Sequence, residues 1–387
     1  MRNSSGRTSP YTIGQPPAPI IAGSGGPDQS GGPAGTRREV VSWEAGRDAA
    51  GAGCCREGTP VVTRPRVYIT RRIPQEALHI VARHCDFEVW DRDEPVDPAV
   101  LAEKIREVDG LLTLLTDAVT EDLLARARRL RVIAQMAVGY DNIDVEAATR
   151  RGIVVTNTPG VLTESTADLA FALLLAAAGQ LPQAERNLRE GPWTTWGPME
   201  FTGQDVHGAV LGIIGLGRIG AAVARRAAGF GMQVIYYSRS RKLDLEAALG
   251  CRYVDLPTLL GEADFVSIHC PLTPETHHLI GEPELRRMKP TAVLINTARG
   301  AIVDEAALVR ALREGWIWAA GLDVYHREPL PADHPLLGLE RVVALPHIGS
   351  ASIRTRTRMA CLAAENLVAV LTGQRPPTPV NWTDPAP

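Results

Sequence analysis

The stretch Val210-Leu-Gly-Ile-Ile-Gly-Leu-Gly-Arg-Ile-Gly220 constrains this chain more than any other. It opens with an apolar run long enough for one buried strand and turns through Gly215-x-Gly217-x-x-Gly220. It then passes into Ala221 to Ala228, a string of helix formers ending near Gly229. A Gly-rich turn between strand and helix lets backbone N–H groups and the positive helix end meet a pyrophosphate. With 36 glycines in the chain the bare pattern can arise by accident, as an ordinary strand-to-helix turn. Its place between strand and helix makes it a dinucleotide fingerprint. Cofactor contacts are expected from Gly215, Leu216, Gly217, Arg218, Ile219 and Gly220.

Gln233-Val-Ile-Tyr-Tyr237 reads as the next strand, and the residues at its end select the dinucleotide. An acid there would bind an adenosine ribose with a free 2′-hydroxyl. Ser238-Arg-Ser-Arg241 stands there instead, 18 residues after Gly220. Two guanidinium groups and two hydroxyls suit a 2′-phosphate. Ser238, Arg239 and Arg241 therefore point to NADP(H), with NAD(H) as second choice. The plain alternative is a pair of surface arginines opening a solvated loop.

At 387 residues the chain exceeds one typical core, so two domains are expected. Hydrophobic content of 45%, charged content of 22% and a net charge of −3 describe a globular protein with no basic face advertising nucleic acid or anionic membrane. The cysteines, at 54, 55, 85, 251, 270 and 361, form no C-x-x-C pair. They fit a reducing compartment better than a disulfide framework or zinc site. With no transmembrane-length apolar run and no signal-peptide pattern, a cytoplasmic protein is expected, with no metal in its site.

Residues 1–64 are rich in Gly, Pro and Ser and are expected to be disordered. No methionine lies between Met1 and Met136, and Val61 and Val62 precede the periodic region, so the tail reads as a candidate start-site artefact. From Arg66 the chain alternates strands and helices. Strands are expected at 66–70, 87–90, 110–115 and 132–136, and helices at 74–84, 98–108 and 121–128. After the glycine motif the alternation resumes, with strands at 265–269, 292–296, 320–324 and 342–345 and a closing helix over 352–372. Thr163 to Ala178 is a helix apolar on every side over its lower half, with Thr163 a plausible N-cap and Gly179 a stop.

Repeated strand–helix units make the chain α/β. The expected architecture is two doubly wound parallel-sheet, Rossmann-like domains with a cleft between them and a C-terminal helix returning to the first. Residues 65–163 and 350–387 form the substrate domain, and 164–349 the dinucleotide-binding domain. An arm with Trp193, Trp196, Pro198 and Met199 looks like a surface that another subunit covers.

Three polar groups lie just beyond strands of the second domain, where ligands bind in open α/β sheets. Arg299 comes after Leu294 to Ala298, Glu328 after Ala320 to Val324, and His347 after Val342 to Pro346. Singly, each has a plain surface or turn reading. Together beside a nicotinamide they make the chemistry of 2-oxo acid reduction. Arg299 can hold a carboxylate in a bidentate fork, and His347 can supply a proton while Glu328 favours and orients the imidazolium. The adjacent His277 and His278 read as loop residues.

The segments Val138-Gly-Tyr-Asp-Asn-Ile-Asp144, Gly215 to Gly220, His269-Cys-Pro-Leu-Thr273, Asn296-Thr-Ala-Arg-Gly300, Gly321-Leu-Asp-Val324 with Glu328-Pro329, and Pro346-His-Ile-Gly-Ser350 resemble the D-2-hydroxyacid dehydrogenase family. The resemblance covers about residues 65–381. Trp193-x-x-Trp196-x-Pro-Met199, Ser238-Arg239 and His334-Pro-Leu-Leu337 are most similar to its glyoxylate/hydroxypyruvate reductases. This implies Arg299, Glu328 and His347 as catalytic, with substrate held by Arg299 and the N–H groups of Val138 and Gly139. Leu114, Trp196 and Met199 would close a small pocket. It further implies cofactor contacts from Thr166, Cys270, Pro271, Thr276, Thr297, Ala298, Asp323, His347 and Gly349. A homodimer is implied, with Trp196 reaching the neighbour's site. Phosphoglycerate dehydrogenase and other D-2-hydroxyacid dehydrogenases are the nearer rivals. Formate dehydrogenases, which need no proton shuttle, are less similar. A nucleotide-sensing, corepressor-like binding module is the reading from another class.

Overall fold

Short, almost wholly apolar strands of four or five residues cannot face water on either side, and parallel sheets covered by helices satisfy that demand. In a computed structural model, which describes residues 63–191 and 193–382, the chain builds two such sheets. The expected tail lies almost entirely outside the described residues.

The first sheet uses β1 (Arg66–Ile69), β2 (Asp86–Val89), β3 (Gly110–Thr113), β4 (Val132–Gln135) and β5 (Val154–Thr156). Helices α1 (Gln75–Ala82), α2 (Pro98–Lys104), α3 (Glu121–Leu124) and α4 (Val145–Arg150) alternate with them. All pairings are parallel, in the order β2-β1-β3-β4-β5. The third strand is shorter than its apolar run predicts. Leu114 gives its N–H to Oδ2 of Asp117 at 2.8 Å, which diverts the backbone out of the ladder.

Two helices, α5 (Thr163–Ala178) and α6 (Leu181–Glu190), lead to the second sheet. The first ends at Gly179 as expected, but Thr163 is its opening residue and Leu162 occupies the N-cap. Its Ala167, Ala170, Phe171, Leu173, Leu174, Ala177 and Ala178 are buried. The second helix buries none of its residues; Leu181, Ala184 and Leu188 recur on it at helical spacing, yet Leu181 and Leu188 stay exposed.

Further along come β6 (Val210–Ile214), α7 (Arg218–Gly229), β7 (Gln233–Tyr237), α8 (Leu243–Leu249), β8 (Arg252–Tyr253), α9 (Leu256–Glu262) and β9 (Phe265–Ile268). They continue through α10 (Glu282–Arg287), β10 (Val293–Asn296), α11 (Glu305–Glu314), β11 (Ala319–Leu322) and β12 (Val342–Ala344). The order is β12-β11-β10-β9-β6-β7-β8, again all parallel. The order reverses between β6 and β9, the switch point where such sheets open a crevice beyond their strand ends. Pairing of Ile214 with Ile268 brings Gly215 level with His269 at that crevice.

The closing helix α12 (Ile353–Leu371) returns to the first sheet. Met359, Ala360, Ala363, Ala364, Leu367, Val370 and Leu371 recur at helical spacing and pack with Ala77 and Val81 of α1. Buried Asn366 on the same helix is satisfied at both ends of its amide. It donates to the Thr378 hydroxyl at 2.7 Å and accepts the Thr378 N–H at 2.9 Å, fastening the segment beyond the helix.

Candidate active site

The three motif glycines serve three different needs. Gly215 has φ +97°, and a Cβ there would lie 2.6 Å from the Cys270 nitrogen. A Cβ on Gly220 would collide with the Gly215 carbonyl, so only glycine lets α7 start this close to β6. Gly217 has no atom within 4 Å of a Cβ position, which leaves open space at the helix start. Gly217 is also the N-cap, and no side chain caps it, so the first N–H groups of α7 are available to an anion. Arg218 and Ile219 form that first turn.

Ser238 accepts the Leu216 N–H at 2.8 Å and ties the end of β7 to the glycine turn. Arg239 beside it is exposed. Arg241, expected as a third cofactor contact, gives Nε and Nη2 to Glu246, each at 2.8 Å. Arg241 and the Tyr236 hydroxyl hold the Glu246 carboxyl down at about 2, so this arginine braces the loop.

On the other wall, Thr276 accepts the Thr273 N–H and donates to the Pro271 carbonyl, both at 2.7 Å, folding the loop behind Cys270. Burial pushes the Cys270 thiol up to about 11, so it is unreactive at neutral pH. The Thr297 Oγ1 is buried without a partner, a donor or acceptor left for a bound group. Together with the open space at Gly217, this hydroxyl fits the crevice to a dinucleotide. Thr166 donates to the Gly349 carbonyl at 3.1 Å.

The expected trio gathers on neighbouring strand ends. Nδ1 of His347 lies 2.7 Å from Oε2 of Glu328, and Oε1 of Glu328 accepts the Tyr325 N–H at 3.0 Å. Burial alone would push the Glu328 carboxyl up. The hydrogen bond and charge of His347, the Tyr325 N–H and the Arg299 charge outweigh it and hold the group below the usual range. His347 has φ +54°, a conformation that non-glycine residues adopt at a cost. Asp323 holds that turn, accepting the N–H groups of Ile348 at 2.7 Å and Gly349 at 2.8 Å. Asp323 is 1% exposed, and burial raises its carboxyl above the usual range.

Gly300 joins the Arg299 loop to this arrangement, because a Cβ there would collide with the Tyr325 and His326 backbone. Arg299 then reaches across to the five-stranded half. Its Nη1 donates to the Ala298 carbonyl at 2.8 Å, its Nε contacts Asp141, and its Nη2 occupies the space that a Cβ of Gly139 would need. The loop at Val138 and Gly139 is held from below by buried Gln135, whose amide donates to the Gly139 carbonyl at 3.3 Å and to Asn142 at 2.8 Å. Asn142 in turn donates to the carbonyls of Leu114 at 3.1 Å and Asp117 at 2.7 Å. Leu114 and the Val138–Gly139 loop are thus one braced unit. Sequence reasoning quoted Asp141 and Asn142 within a motif but gave them no role, and it missed Gln135 and Asp117. Trp196 stands in the arm, 75% exposed, beside Trp193 at 63% and Met199 at 78%.

Residues 171–349 match the model of the D-isomer specific 2-hydroxyacid dehydrogenase NAD-binding domain. A glyoxylate reductase from Korarchaeum cryptofilum is 55% identical over 319 residues, spanning 82% of this chain and 96% of that protein. This chain belongs to the D-isomer specific 2-hydroxyacid dehydrogenase family. Among solved structures, a Thermus thermophilus protein aligns with a TM-score of 0.77 at 48% identity, covering 81% of this chain and 99% of that one. The NADPH-dependent glyoxylate/hydroxypyruvate reductase of Sinorhizobium meliloti, in complex with NADP and malonate, aligns with a TM-score of 0.74 at 37% identity. That alignment covers 82% of this chain and 97% of the other. As a member of the dehydrogenase family the chain is an NAD(P)-dependent oxidoreductase acting on small 2-hydroxy acids or their 2-oxo counterparts. Among the described residues no single helix is long and apolar enough to cross a membrane, and no cluster of ligating side chains could hold a metal.

Proposed function

We propose that this dehydrogenase reduces glyoxylate and hydroxypyruvate to glycolate and D-glycerate, preferring NADPH. The observation that carries this reading is the His347–Glu328 pair lying on strand ends next to the loop that lays Arg299 on Gly139. The names of the relatives support the substrate, and the Sinorhizobium complex supports the phosphorylated cofactor. Residues 65–163 with 350–387 would hold the 2-oxo acid, and 164–349 the cofactor.

The substrate carboxylate would take the N–H groups of Val138 and Gly139 together with Arg299, which also polarises the adjacent carbonyl. NADPH, when bound along Gly215 to Gly220, supplies the hydride. With Nδ1 bonded to Glu328, His347 presents Nε2 as proton donor to the carbonyl oxygen. The Glu328 carboxylate, bonded to Nδ1, keeps the ring oriented throughout the transfer. Ser238 and Arg239 would read the 2′-phosphate, with Arg241 supporting them through its hold on Glu246.

The reading includes a homodimer in which the arm at Trp193, Trp196 and Met199 is covered and Trp196 closes the partner's pocket. The exposure of these side chains, and of Leu181 and Leu188 on α6, supports it. Initial rates with NADPH and NADH against glyoxylate, hydroxypyruvate, pyruvate and 3-phosphohydroxypyruvate test the assignment. Fast NADPH turnover on the first two is expected. Dominant activity on the phosphorylated acid would move the chain to phosphoglycerate oxidation. Tight cofactor binding without turnover would make it a nucleotide-sensing module.

A further inference from the structure

We infer that Asp141 is a positioning residue that aims the Arg299 guanidinium at the 2-oxo acid. The inference rests on the reading of Arg299 as the substrate-binding arginine. Nε of Arg299 donates to Asp141, with Oδ1 at 3.1 Å and Oδ2 at 3.3 Å, and Nη2 lies 3.0 Å from the same Oδ1. The side-on edge of the fork is therefore taken. Nη1 spends one N–H on the Ala298 carbonyl, directly behind the same side chain.

A guanidinium carries five N–H donors in a fixed plane. With its Nε–Nη2 edge facing Asp141 and one Nη1 hydrogen turned back to Ala298, the end of the fork remains. There one N–H of Nη1 and one of Nη2 run parallel. Two parallel donors match the two oxygens of a carboxylate, or one carboxylate oxygen and the neighbouring carbonyl oxygen. The second constraint is steric, since Nη2 rests where a Cβ of Gly139 would stand. Asp141 from one side and Gly139 from beneath thus define the direction of a side chain that could otherwise swing freely. Asp141 belongs to the loop after β4 and Arg299 to the loop after β10, so this orientation is set across the two halves.

The pair is too exposed to matter much for folding, with 44% of the Asp141 side chain and 23% of the Arg299 side chain accessible. Its carboxylate also works against anion binding in the ground state, being a negative charge beside the substrate carboxylate. Removing it therefore separates orientation from affinity.

The test compares Asp141→Asn, Arg299→Ala and the double variant in the full-length protein. Readouts are glyoxylate kinetics at saturating NADPH, inhibition by oxalate as an unreactive dianion, NADPH binding by fluorescence, and Tm. In Asp141→Asn we expect kcat to fall by roughly ten- to a hundredfold, as a misaimed group does. KM for glyoxylate and the oxalate inhibition constant should stay level or decrease, with NADPH binding and Tm unchanged. In the Arg299→Ala background the same substitution should change kcat less than twofold. An Asp141→Asn kcat within twofold of the parent overturns the inference. So does an equal loss in the Arg299→Ala background, or a loss that tracks weaker NADPH binding and lower Tm. Full activity in Arg299→Ala alone marks the failure of the underlying assignment, distinct from a failure confined to Asp141.

Discussion

Nδ1 of His347 and Oε2 of Glu328 stand 2.7 Å apart although 19 residues separate them in the chain. Each is fixed from its other side, Glu328 by the Tyr325 N–H and the His347 turn by Asp323. An imidazole anchored at one nitrogen and open at the other is a directed proton donor.

Replacing His347 by Ala or Gln should therefore lower kcat for glyoxylate reduction by about 10²- to 10⁴-fold, the usual contribution of a positioned acid. NADPH affinity, measured by fluorescence titration, should be unaffected. A variant retaining near-parental kcat would remove the assigned role.

Gly139→Ala separates activity from folding. The introduced methyl meets the far end of the Arg299 side chain and the Asp141 carboxylate, both of which can move, so thermal unfolding should match the parent within a degree or two. The displaced guanidinium should cost roughly 10²-fold in kcat/KM for glyoxylate. A fully active Gly139→Ala protein would show that Arg299 has no need of this seat.

Asp323→Ala strands the buried N–H of Gly349, at a cost of about 1–3 kcal/mol, and at less cost the part-buried N–H of Ile348. Denaturant unfolding should report that loss, and kcat should fall because the His347 turn loses its anchor. Asp323→Asn, which keeps one acceptor oxygen, should lie between Ala and the parent in both measurements.

Arg239→Ala should raise KM for NADPH far more than for NADH, since on the proposed reading the exposed guanidinium next to Ser238 meets the 2′-phosphate that NADH lacks. Arg241→Ala acts through the loop it braces. A smaller effect is expected there, with Glu246 left to the Tyr236 hydroxyl alone. Equal KM changes for both cofactors in Arg239→Ala would contradict the preference for NADPH.

His269 gives a pH signature of folding. The residue as a whole keeps some exposed surface, but burial pushes its imidazole down to about 3. An unfolded chain takes up that proton near pH 6.5. Between those values the unfolded state binds more protons, so stability falls as pH drops from about 6.5 towards 3. The slope from this group should stay below the full value of about 1.4 kcal/mol per pH unit, because crevice solvent discounts the burial. His269→Asn should flatten the profile; parallel profiles for the two proteins would contradict the assignment.

Both sheets were legible because buried parallel strands leave long apolar runs between helical periods, as in Val132 to Gln135 and Val293 to Asn296. What escaped was set by contacts between distant residues. The N–H of Leu114 leaves its strand for Asp117, and Leu162 rather than Thr163 caps α5. Helix α8 is only seven residues long and its Leu245 and Leu249 are only partly buried, so its apolar face is faint in the sequence. Arg299, Glu328 and His347 could be named because each comes just after a recognisable strand. Asp141 could not, because its contact with Arg299 exists only once two loops from different halves meet. Nor could Gln135, because its partners Gly139 and Asn142 come from the loop that folds back over its strand. Arg241 illustrates the converse, a charge suited to phosphate whose nearest partner proves to be Glu246.

The most direct measurement is the fate of the hydride. With NADPH deuterated at the transferable position of its nicotinamide and hydroxypyruvate as substrate, the product should be D-glycerate carrying deuterium at carbon 2. His347→Gln should form the same labelled product, far more slowly. Unlabelled glycerate, the L-isomer, or no reaction with cofactor bound would contradict the account.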